Sequence, residues 1–373
     1  MRLRDALLSS ARFRALATRF PPTRPIARRR ARALFDLCAG FVYSQVLLAL
    51  VQLRIPEILR DSPLTAAQLA RRLDLPESSA ERLLLASVSL RLLSSRSRGR
   101  FGLGPLGAAL IDNPGVTGMI THHPLLYDDL RDPVALLRQA GKAGARAGAR
   151  AGETASSLAA YWPYAAGGAA PSQPVQTEAY TALMSASQPM IAAEVLAAYP
   201  VRRHRRLLDV GGGGGAFVAA ALSRARSLHG TVFDLPPVVA HARARFEQAG
   251  LSSRADVVGG DFVHDSLPGG ADLISLVRVL HDHDDDVALS LLRRIRDALP
   301  PHGTLLLAEP MAGTAGAAPA GEAYFGFYLL AMGSGRPRRP ERIMEMLRQT
   351  GFSRIRLART RTPLLARLLV ARP

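Results

Sequence analysis

Two titratable side chains stand at the ends of apolar segments in the second half of the chain. His281 follows the segment 271–280, and Glu309 follows the segment 303–308. If both segments are strands of one parallel sheet, their carboxyl ends meet at the edge where open α/β sheets bind ligands. A neutral imidazole can take a proton from a hydroxyl near neutral pH, and a carboxylate can orient that imidazole. We therefore predict His281 as a general base and Glu309 as its partner, with structural roles as the alternative.

Five consecutive glycines, Gly211 to Gly215, lie between a predicted strand and a predicted helix. This order lets a ligand approach the backbone where side chains would block it. It predicts a binding site for a nucleoside or a dinucleotide. Because Gly211, Gly213 and Ala216 also satisfy the dinucleotide pattern, a nicotinamide-dependent dehydrogenase remains an alternative at this point.

Acidic residues follow the next two predicted strands. Asp234 ends the segment 230–234, where its carboxylate could accept hydrogen bonds from both ribose hydroxyls of either cofactor. Asp261 and Phe262 follow the segment 255–258. There the carboxylate could accept from an adenine amino group while the aromatic ring covers the base. The alternative for Asp261 is a turn or helix cap.

The elements that carry these residues alternate between strand and helix, which is typical of a doubly wound α/β sheet. The predicted strands are 205–210, 230–234, 255–258, 271–280 and 303–308, and the predicted helices are 216–223, 287–299 and 340–350. The three residues Asp284, Asp285 and Asp286 precede one helix and are predicted as caps, since negative charge suits a helix N-terminus. Two further strands after residue 352 are predicted to form an antiparallel hairpin.

The first half of the chain is predicted to be mostly α-helical. Residues 65–70 and 78–93 have the spacing of a helix-turn-helix, and the segments 92–95 and 100–103 could form a wing. The second helix has a leucine face and few side chains that read bases, so the winged-helix-like module is predicted to be a dimerisation scaffold. A DNA-binding regulator is a more remote alternative. The predicted division is a basic segment at 1–31, a dimerisation domain at 32–200 and a catalytic domain at 201–373.

The charge balance is strongly basic, with 48 Lys and Arg against 30 Asp and Glu, a formal net charge of +18. Nucleic acid, an anionic membrane surface and a codon bias toward arginine would each produce this balance. The first twenty residues place apolar side chains between arginines, which suggests an amphipathic surface helix that contacts an anionic membrane. The apolar run from Gly40 to Leu53 is too short for a membrane span. The single cysteine, Cys38, is expected to be buried and fits a cytoplasmic location.

Five motifs in order resemble the hydroxyindole and caffeate-type O-methyltransferase family. They are LLDVGGGGGAF at 207–217, VFDLP at 232–236, GDF at 260–262, VRVLHDHDDD at 277–286 and PHGTLLLAEP at 301–310. The resemblance covers roughly residues 35–372. It implies a Rossmann-like methyltransferase sheet, S-adenosylmethionine as cofactor, a homodimer and a reaction that requires no metal.

The resemblance also implies roles for individual residues. Methyl-donor binding is implied for Gly211, Gly213, Asp234, Asp261 and Phe262, and we add Asp209, Leu235 and Arg278 from the same motifs. General-base duty falls to His281, with Glu309 as the carboxylate beside it. The chain departs from the family at His283, where an aromatic residue is usual, and at Val277, where plant relatives have lysine. A second glutamate that plant enzymes place beside the base has no match near Pro337.

Within this family, the segments 122–139 and 321–338 resemble the bacterial carotenoid enzymes of spheroidene-type biosynthesis. That resemblance implies a tertiary 1-hydroxy group of an acyclic carotenoid as the acceptor, and a location peripheral to the inner or photosynthetic membrane. The alternative acceptor is a phenolic, indole or polyketide hydroxyl. The aromatic and aliphatic residues of 324–332 suit an apolar acceptor tunnel, and core packing explains them equally well.

Overall fold

The structure, a computed structural model, describes residues 2–143, 156–161 and 174–373. The chain divides into two compact units, Met1–Asn113 and Pro114–Pro373. The elements of the first unit are α1 (Arg2–Ser9), α2 (Ala11–Arg19), α3 (Arg24–Gln52), α4 (Ile55–Ile58), β1 (Leu64–Thr65), α5 (Ala66–Leu73), α6 (Glu77–Ser89), β2 (Leu93–Arg96), β3 (Arg100–Leu103) and α7 (Pro105–Ala108).

The predicted helix-turn-helix and wing are present in the first unit. Strands β2 and β3 form an antiparallel hairpin, and β1 pairs antiparallel with β3 at the other side. Helix α5 begins at a capping box, in which the Thr65 hydroxyl accepts from the Gln68 backbone N–H and the Gln68 side chain accepts from the Thr65 N–H. Such reciprocal caps fix the point at which a helix starts. The winged-helix-like prediction is therefore confirmed.

Helix α3 is longer and more exposed than its sequence suggests. It spans 29 residues, and an 18-residue window within it has a mean hydropathy of 1.9 with 17% of the window buried. By length and composition alone α3 could cross a membrane, a property that core helices of soluble proteins share, so the expectation that the chain has no membrane span stays a prediction. The apolar run continues upstream of Gly40 through a helix that starts at Arg24. Cys38 lies on α3 and is exposed, contrary to the prediction of a buried thiol.

The second unit starts with four helices and continues as a sheet with helices on both faces. Its helices and strands are α8 (Pro114–Asp129), α9 (Pro133–Ala143), α10 (Ser157–Tyr161), α11 (Pro174–Ala198), β4 (Arg206–Val210), α12 (Ala216–Arg224), β5 (His229–Asp234), α13 (Pro236–Gln248), β6 (Ala255–Gly259), β7 (Leu273–Val277), α14 (Asp285–Ala298), β8 (Thr304–Glu309), a π-helical segment (Pro319–Phe325), α15 (Gly326–Met332), α16 (Pro340–Gln349), β9 (Arg354–Ala358) and β10 (Arg367–Arg372).

The seven strands lie in the order β6-β5-β4-β7-β8-β10-β9. The first five are parallel, and β10 pairs antiparallel with both β8 and β9. The doubly wound α/β prediction and the final antiparallel hairpin are thus confirmed. The strand order reverses at β4, and the carboxyl ends of β4 and β7 therefore flank the crevice where such sheets bind ligands.

The unit boundary differs from the predicted division at 200/201. The second half of α11 packs into the sheet core, where Ile191 and Val195 join Phe217 and Phe246 on one face. Burying these apolar side chains ties α11 to the sheet rather than to the winged-helix-like module. The helices between 114 and 198 accordingly belong to the same compact unit as the strands.

Candidate functional site

The glycine run adopts a backbone that only glycine adopts readily. Gly211, Gly213 and Gly215 have φ values of 67°, 56° and 72°, in the left-handed region. A Cβ on Gly211 would lie 2.7 Å from Val279, whereas a Cβ on Gly213 would have no heavy atom within 4 Å. The loop is therefore closed against the segment after β7 and open at Gly213, as a cradle for a ligand must be.

Asp209 lies beneath this loop, in β4. One carboxyl oxygen, Oδ1, accepts a 2.5 Å hydrogen bond from the Ser275 hydroxyl. The other, Oδ2, is buried and has no hydrogen-bond partner in the part of the chain that the structure describes. Burial raises the pKa of Asp209 to about 7, and the Ser275 bond offsets this only in part. Asp209, which was predicted to contact the cofactor, is thus a buried carboxyl group below the glycine backbone.

Asp234 connects the end of β5 to the glycine loop. Its Oδ2 accepts from the Gly213 N–H at 2.7 Å, and its Oδ1 accepts from the Leu235 N–H at 2.8 Å. Burial nevertheless raises the pKa of Asp234 to about 6. Asp234 as a residue is partly exposed, and its carboxylate is fixed beside the open glycine by these two hydrogen bonds. Leu235 is the residue from which α13 starts.

Asp261 and Phe262 occupy the turn after β6. Asp261 Oδ1 accepts from the Val263 N–H at 2.8 Å, and its Oδ2 lies 2.8 Å from Nδ1 of His264. The carboxylate therefore caps the turn, as the alternative interpretation described, while part of it stays exposed. The Phe262 ring meets the His283 ring edge to face, with centroids 5.2 Å apart.

His281 and Glu309 are brought together as predicted. Both side chains are buried, and Nδ1 of His281 lies 3.3 Å from Oε2 of Glu309. The same Oε2 accepts from the His281 backbone N–H at 3.1 Å. Glu309 Oε1 is buried without a hydrogen-bond partner among the described residues. The Glu309 carboxylate thus orients both the turn and the ring that the turn carries.

A second carboxylate, which the sequence interpretation missed, touches the other ring nitrogen. Asp282 Oδ1 lies 3.1 Å from Nε2 of His281. Burial by itself lowers the pKa of His281, but the charge and hydrogen bond of Asp282, followed by those of Glu309, raise that pKa to about 9. The two carboxylates therefore favour the protonated form of the imidazole in this arrangement. The Asp282 neighbour was visible in the sequence, but its side-chain direction was not.

Arg278 leaves β7 in a strained conformation next to this turn. Its φ is 61°, which is uncommon for a residue with a side chain. Its backbone N–H donates to the Ala308 carbonyl, and its guanidinium Nη1 donates to the Ser187 hydroxyl at 2.7 Å. The strand therefore ends at Val277, three residues earlier than predicted. This break directs the guanidinium toward α11.

A buried guanidinium holds the turn that carries His281 from the other side. Arg338 is 2% exposed and donates to the carbonyls of Leu280 and His283 at 2.9 and 2.7 Å. Its charge is paired with Asp285, whose Oδ1 lies 2.9 Å from Nε. Asp285 was predicted only as a helix cap, and Arg338 was not predicted to have a role. The nearby Gly335 has a φ of 80°, and a Cβ there would collide with the His281 carbonyl oxygen.

An aromatic ring borders the imidazole of His281. The Phe325 ring meets the His281 ring edge to face, with centroids 6.1 Å apart. Phe325 is half-buried and ends the π-helical segment that precedes α15. The arrangement combines an open glycine cradle, a hydrogen-bonded base and an apolar wall. It suits an apolar molecule with a hydroxyl beside the imidazole, which can take up a proton once the ring is neutral.

Comparison with known proteins places this geometry in a family. Residues 156–353, more than half of the chain, match the O-methyltransferase domain. The chain belongs to the O-methyltransferase family. Residues 35–113 match the O-methyltransferase dimerisation domain of the same family. The winged-helix-like module is thus a dimerisation domain, as predicted.

Individual relatives cover nearly all of the chain. The demethylspheroidene O-methyltransferase of Cereibacter sphaeroides is 42% identical over 95% of this chain and 90% of its own length. That of Rhodobacter capsulatus is 41% identical over 97% of this chain and 87% of its own length. Among solved structures, human N-acetylserotonin methyltransferase in complex with SAM is similar, with a TM-score of 0.72, 25% identity and coverage of 92% of this chain and 97% of the other.

Proposed function

We propose that this chain transfers a methyl group from S-adenosylmethionine to the tertiary 1-hydroxy group of an acyclic carotenoid. The observation that carries the proposal is the His281 imidazole, held by Glu309 and bordered by the half-buried Phe325 ring. A base between a cofactor cradle and an aromatic wall suits an apolar alcohol. The relatives of 41 and 42% identity are both demethylspheroidene O-methyltransferases, which supports this acceptor class.

The donor site fits an adenosyl ligand. The open face at Gly213 leaves room for a ligand beside the backbone, and the Asp234 carboxylate stands next to it. Asp234 and Leu235 would hold the ribose end, and Asp261 with Phe262 would hold the adenine. Asp209, Gly211 and Arg278 would complete the site. When bound, S-adenosylmethionine supplies an electrophilic methyl group on a cationic sulfur.

The base needs a change of partner before it can act. In the structure, Asp282 stabilises the protonated form of His281 through Nε2. An acceptor hydroxyl that replaces Asp282 at this nitrogen breaks the hydrogen bond and moves the carboxylate away, which weakens the stabilisation of the protonated ring and lowers the pKa of the imidazole. A tertiary alcohol is a weak acid, so its proton is transferred late and the orientation of the base matters. Glu309 keeps that orientation through Nδ1, and alignment supplies most of the rate enhancement.

A phenolic, indole or polyketide hydroxyl is the alternative acceptor, because the donor site is shared and only the acceptor pocket differs. The test presents the purified enzyme and labelled S-adenosylmethionine with a 1-hydroxy acyclic carotenoid and, in parallel, with a simple phenol. We expect the methyl ether of the carotenoid and much less labelled phenol ether. Preferential methylation of the phenol would contradict the proposed acceptor, and absence of both products would contradict methyl transfer.

The enzyme acts as a homodimer whose subunits cover the exposed apolar residues of α3. Leu34 immediately precedes the dimerisation-domain match at 35–113, and the other four lie at its start: Phe35, Leu37, Phe41 and Val42. A contiguous apolar patch that is exposed on a soluble protein marks an association surface. Light scattering of the purified chain is expected to give twice the chain mass of 39.9 kDa. A monomer at micromolar concentration would contradict the dimer.

The basic helices α1 and α2, with the first turns of α3, contact an anionic membrane. Residues 2–32 contain ten arginines and one acidic residue, so they carry half of the net charge of +18, and they lie outside both family matches. Exposed apolar side chains lie between the arginines: Leu7, Leu16, Phe20 and Ile26. Arginines attract anionic lipids while apolar side chains enter the interface. An acceptor that dissolves in lipid would be collected there.

Vesicle sedimentation tests this contact with paired variants. One variant replaces Arg28, Arg29, Arg30 and Arg32 by glutamine, and the control replaces Arg71, Arg72, Arg82 and Arg98, which are also exposed. We expect the first to lose at least about tenfold in partitioning to phosphatidylglycerol vesicles, since each basic residue contributes about 1 kcal/mol. Equal losses in both variants would contradict a specific contact surface.

A further inference from the structure

Two pairs of histidine and tyrosine join α8 to the segment that borders His281. His122 Nε2 lies 2.9 Å from the Tyr328 hydroxyl oxygen, and His123 Nε2 lies 2.8 Å from the Tyr324 hydroxyl oxygen. The partners are more than 200 positions apart in the chain. They belong to the two segments, 122–139 and 321–338, whose sequences resemble the carotenoid enzymes. The fold therefore brings these two segments into direct contact.

Contacts between aromatic rings connect these pairs to the imidazole of His281. The Phe325 ring lies 5.0 Å from Tyr324 and 6.5 Å from Tyr328, measured between centroids, and 6.1 Å from His281. The Tyr324 and Tyr328 centroids are 5.9 Å apart. We call the five residues His122, His123, Tyr324, Phe325 and Tyr328 the aromatic series. It extends from the imidazole of the base to α8.

Only part of the segment 324–332 serves as core. Tyr328, Leu329 and Met332 are buried and pack with Leu126 and Leu158 in one apolar cluster. Tyr324 and Phe325 are half-buried, so part of each ring is accessible beside His281. The two interpretations of this segment, tunnel and core, therefore apply to different residues. The half-buried residues Tyr324 and Phe325, which lie nearest His281, are the ones that remain accessible to a ligand.

The two histidines of the series are uncharged partners rather than ions. Burial lowers the pKa of His122 to about 4, with a further contribution from the neighbouring His123, and burial also lowers the pKa of His123. A neutral imidazole can fix a tyrosine hydroxyl without placing a charge beside an apolar ligand. The hydrogen bonds thus set the direction of the two tyrosine rings.

We propose that the aromatic series binds the conjugated body of the acceptor and thereby determines which hydroxyl reaches His281. This inference rests on the proposed function and names the residues that select its substrate. A flat polyene presents an extended π-system, which aromatic rings contact favourably along its length. Phe325 would hold the end nearest the hydroxyl, Tyr324 would hold the next part, and the buried Tyr328 would support these two rings from behind. His122 and His123 act as positioning residues through the two tyrosines.

The test measures polyene binding without turnover. An achiral acyclic polyene alcohol is titrated into the full-length protein in the absence of methyl donor, and the circular dichroism that it acquires in the visible region is recorded. We expect Tyr324→Leu and Phe325→Leu to weaken binding at least about fivefold, because each loses a ring of the wall. Tyr324→Phe keeps the ring and is expected to bind within about twofold of the unaltered protein.

The chain offers a matched control in a third histidine–tyrosine pair. Tyr199 Oη lies 2.7 Å from Nε2 of His204, the rings stack at 5.7 Å, and both residues are buried in the sheet core. Tyr199→Leu should leave polyene binding unchanged. His123→Leu should change the sign or size of the induced signal, and His123→Gln should restore it, because glutamine can still hydrogen-bond the Tyr324 hydroxyl. Thermal unfolding of each variant separates lost folding from lost binding.

The outcomes separate this inference from the proposed function. Weakened binding in Tyr324→Leu and Phe325→Leu, with Tyr199→Leu unaffected, supports the aromatic series even if no carotenoid ether is formed. Equal binding by the series variants and the control would overturn it, as would an unaltered protein that binds no polyene. In either of these cases, methyl transfer to the phenol remains a separate measurement of the enzyme's activity. In steady state, the series variants should raise KM for the carotenoid and leave KM for S-adenosylmethionine unchanged.

Discussion

Asp282 Oδ1 lies 3.1 Å from Nε2 of His281, so the imidazole is held between this carboxylate and that of Glu309. The two carboxylates differ in what they can do. Glu309 is 1% exposed at the end of β8 and fixes the ring, whereas Asp282 occupies the nitrogen at which an acceptor hydroxyl would have to bind. The two carboxylates therefore influence both the position of the imidazole and its pKa.

The pH dependence of turnover should report this pairing. Since Asp282 raises the pKa of His281 toward about 9, kcat/KM should rise with pH through the neutral range as the imidazole loses its proton. Asp282→Asn removes a negative charge that favours the protonated ring, so the rising limb should move to lower pH. The exposed Asp286→Asn is the control for charge alone and should leave the profile in place. Coincident profiles for Asp282→Asn and the unaltered enzyme would argue against the pairing.

Substitution of the base and its partner should separate binding from chemistry. His281→Gln should retain affinity for S-adenosylmethionine and lose about 10²- to 10⁴-fold in kcat, because general-base assistance contributes about that much. Glu309→Gln keeps a group that can bond the ring but loses the charge, so a smaller loss in kcat is expected. Calorimetric binding of the donor, measured beside turnover, checks both. Near-normal turnover by His281→Gln would refute the general-base role.

The buried Arg338 should matter for stability as well as for activity. Arg338→Met leaves the carbonyls of Leu280 and His283 without their donor, whereas Asp285 keeps its second partner, Arg342. Removal of one partner of a fully buried ion pair costs about 3–5 kcal/mol. Because Asp285 is partly exposed and keeps Arg342, the free energy of unfolding in urea should fall by less than that. The control is Arg336→Met, whose side chain is 61% exposed and lies 4.0 Å from Asp284. A loss of the same size in both variants would show that the buried contacts are not responsible.

Asp209 should produce a pH dependence of stability. Its pKa is raised from 3.8 to about 7 in the folded protein, so the folded state holds this proton more tightly than the unfolded state. The stabilisation from this group is present at low pH and is lost as the pH rises from about 4 to 7. Asp209→Asn removes that loss and can still accept from the Ser275 hydroxyl. The variant should therefore gain urea stability relative to the unaltered protein between pH 5 and pH 8, and a constant difference across this range would contradict the raised pKa.

Much of the fold could be predicted because local sequence patterns indicate its strands, turns and helices. Buried apolar strands, glycine turns and capped helices each occupy a few consecutive residues, and right-handed crossovers restrict how parallel strands connect. Predictions were less accurate where a strand ended early, as at Arg278, because the positive φ there depends on contacts with Ala308 and Ser187. The exposure of Cys38 and the length of α3 were likewise decided by the helix as a whole.

The sequence by itself determined that His281 and Glu309 share one edge of a parallel sheet with a glycine cradle, since strand order and the ends of strands follow from periodicity and connection length. Only the tertiary structure decided which groups touch that histidine. Arg338 reaches the Leu280 carbonyl from 58 positions away, and the His–Tyr pairs span more than 200 positions. Such contacts depend on side-chain directions and on the packing of distant elements, which no local pattern of residue types specifies.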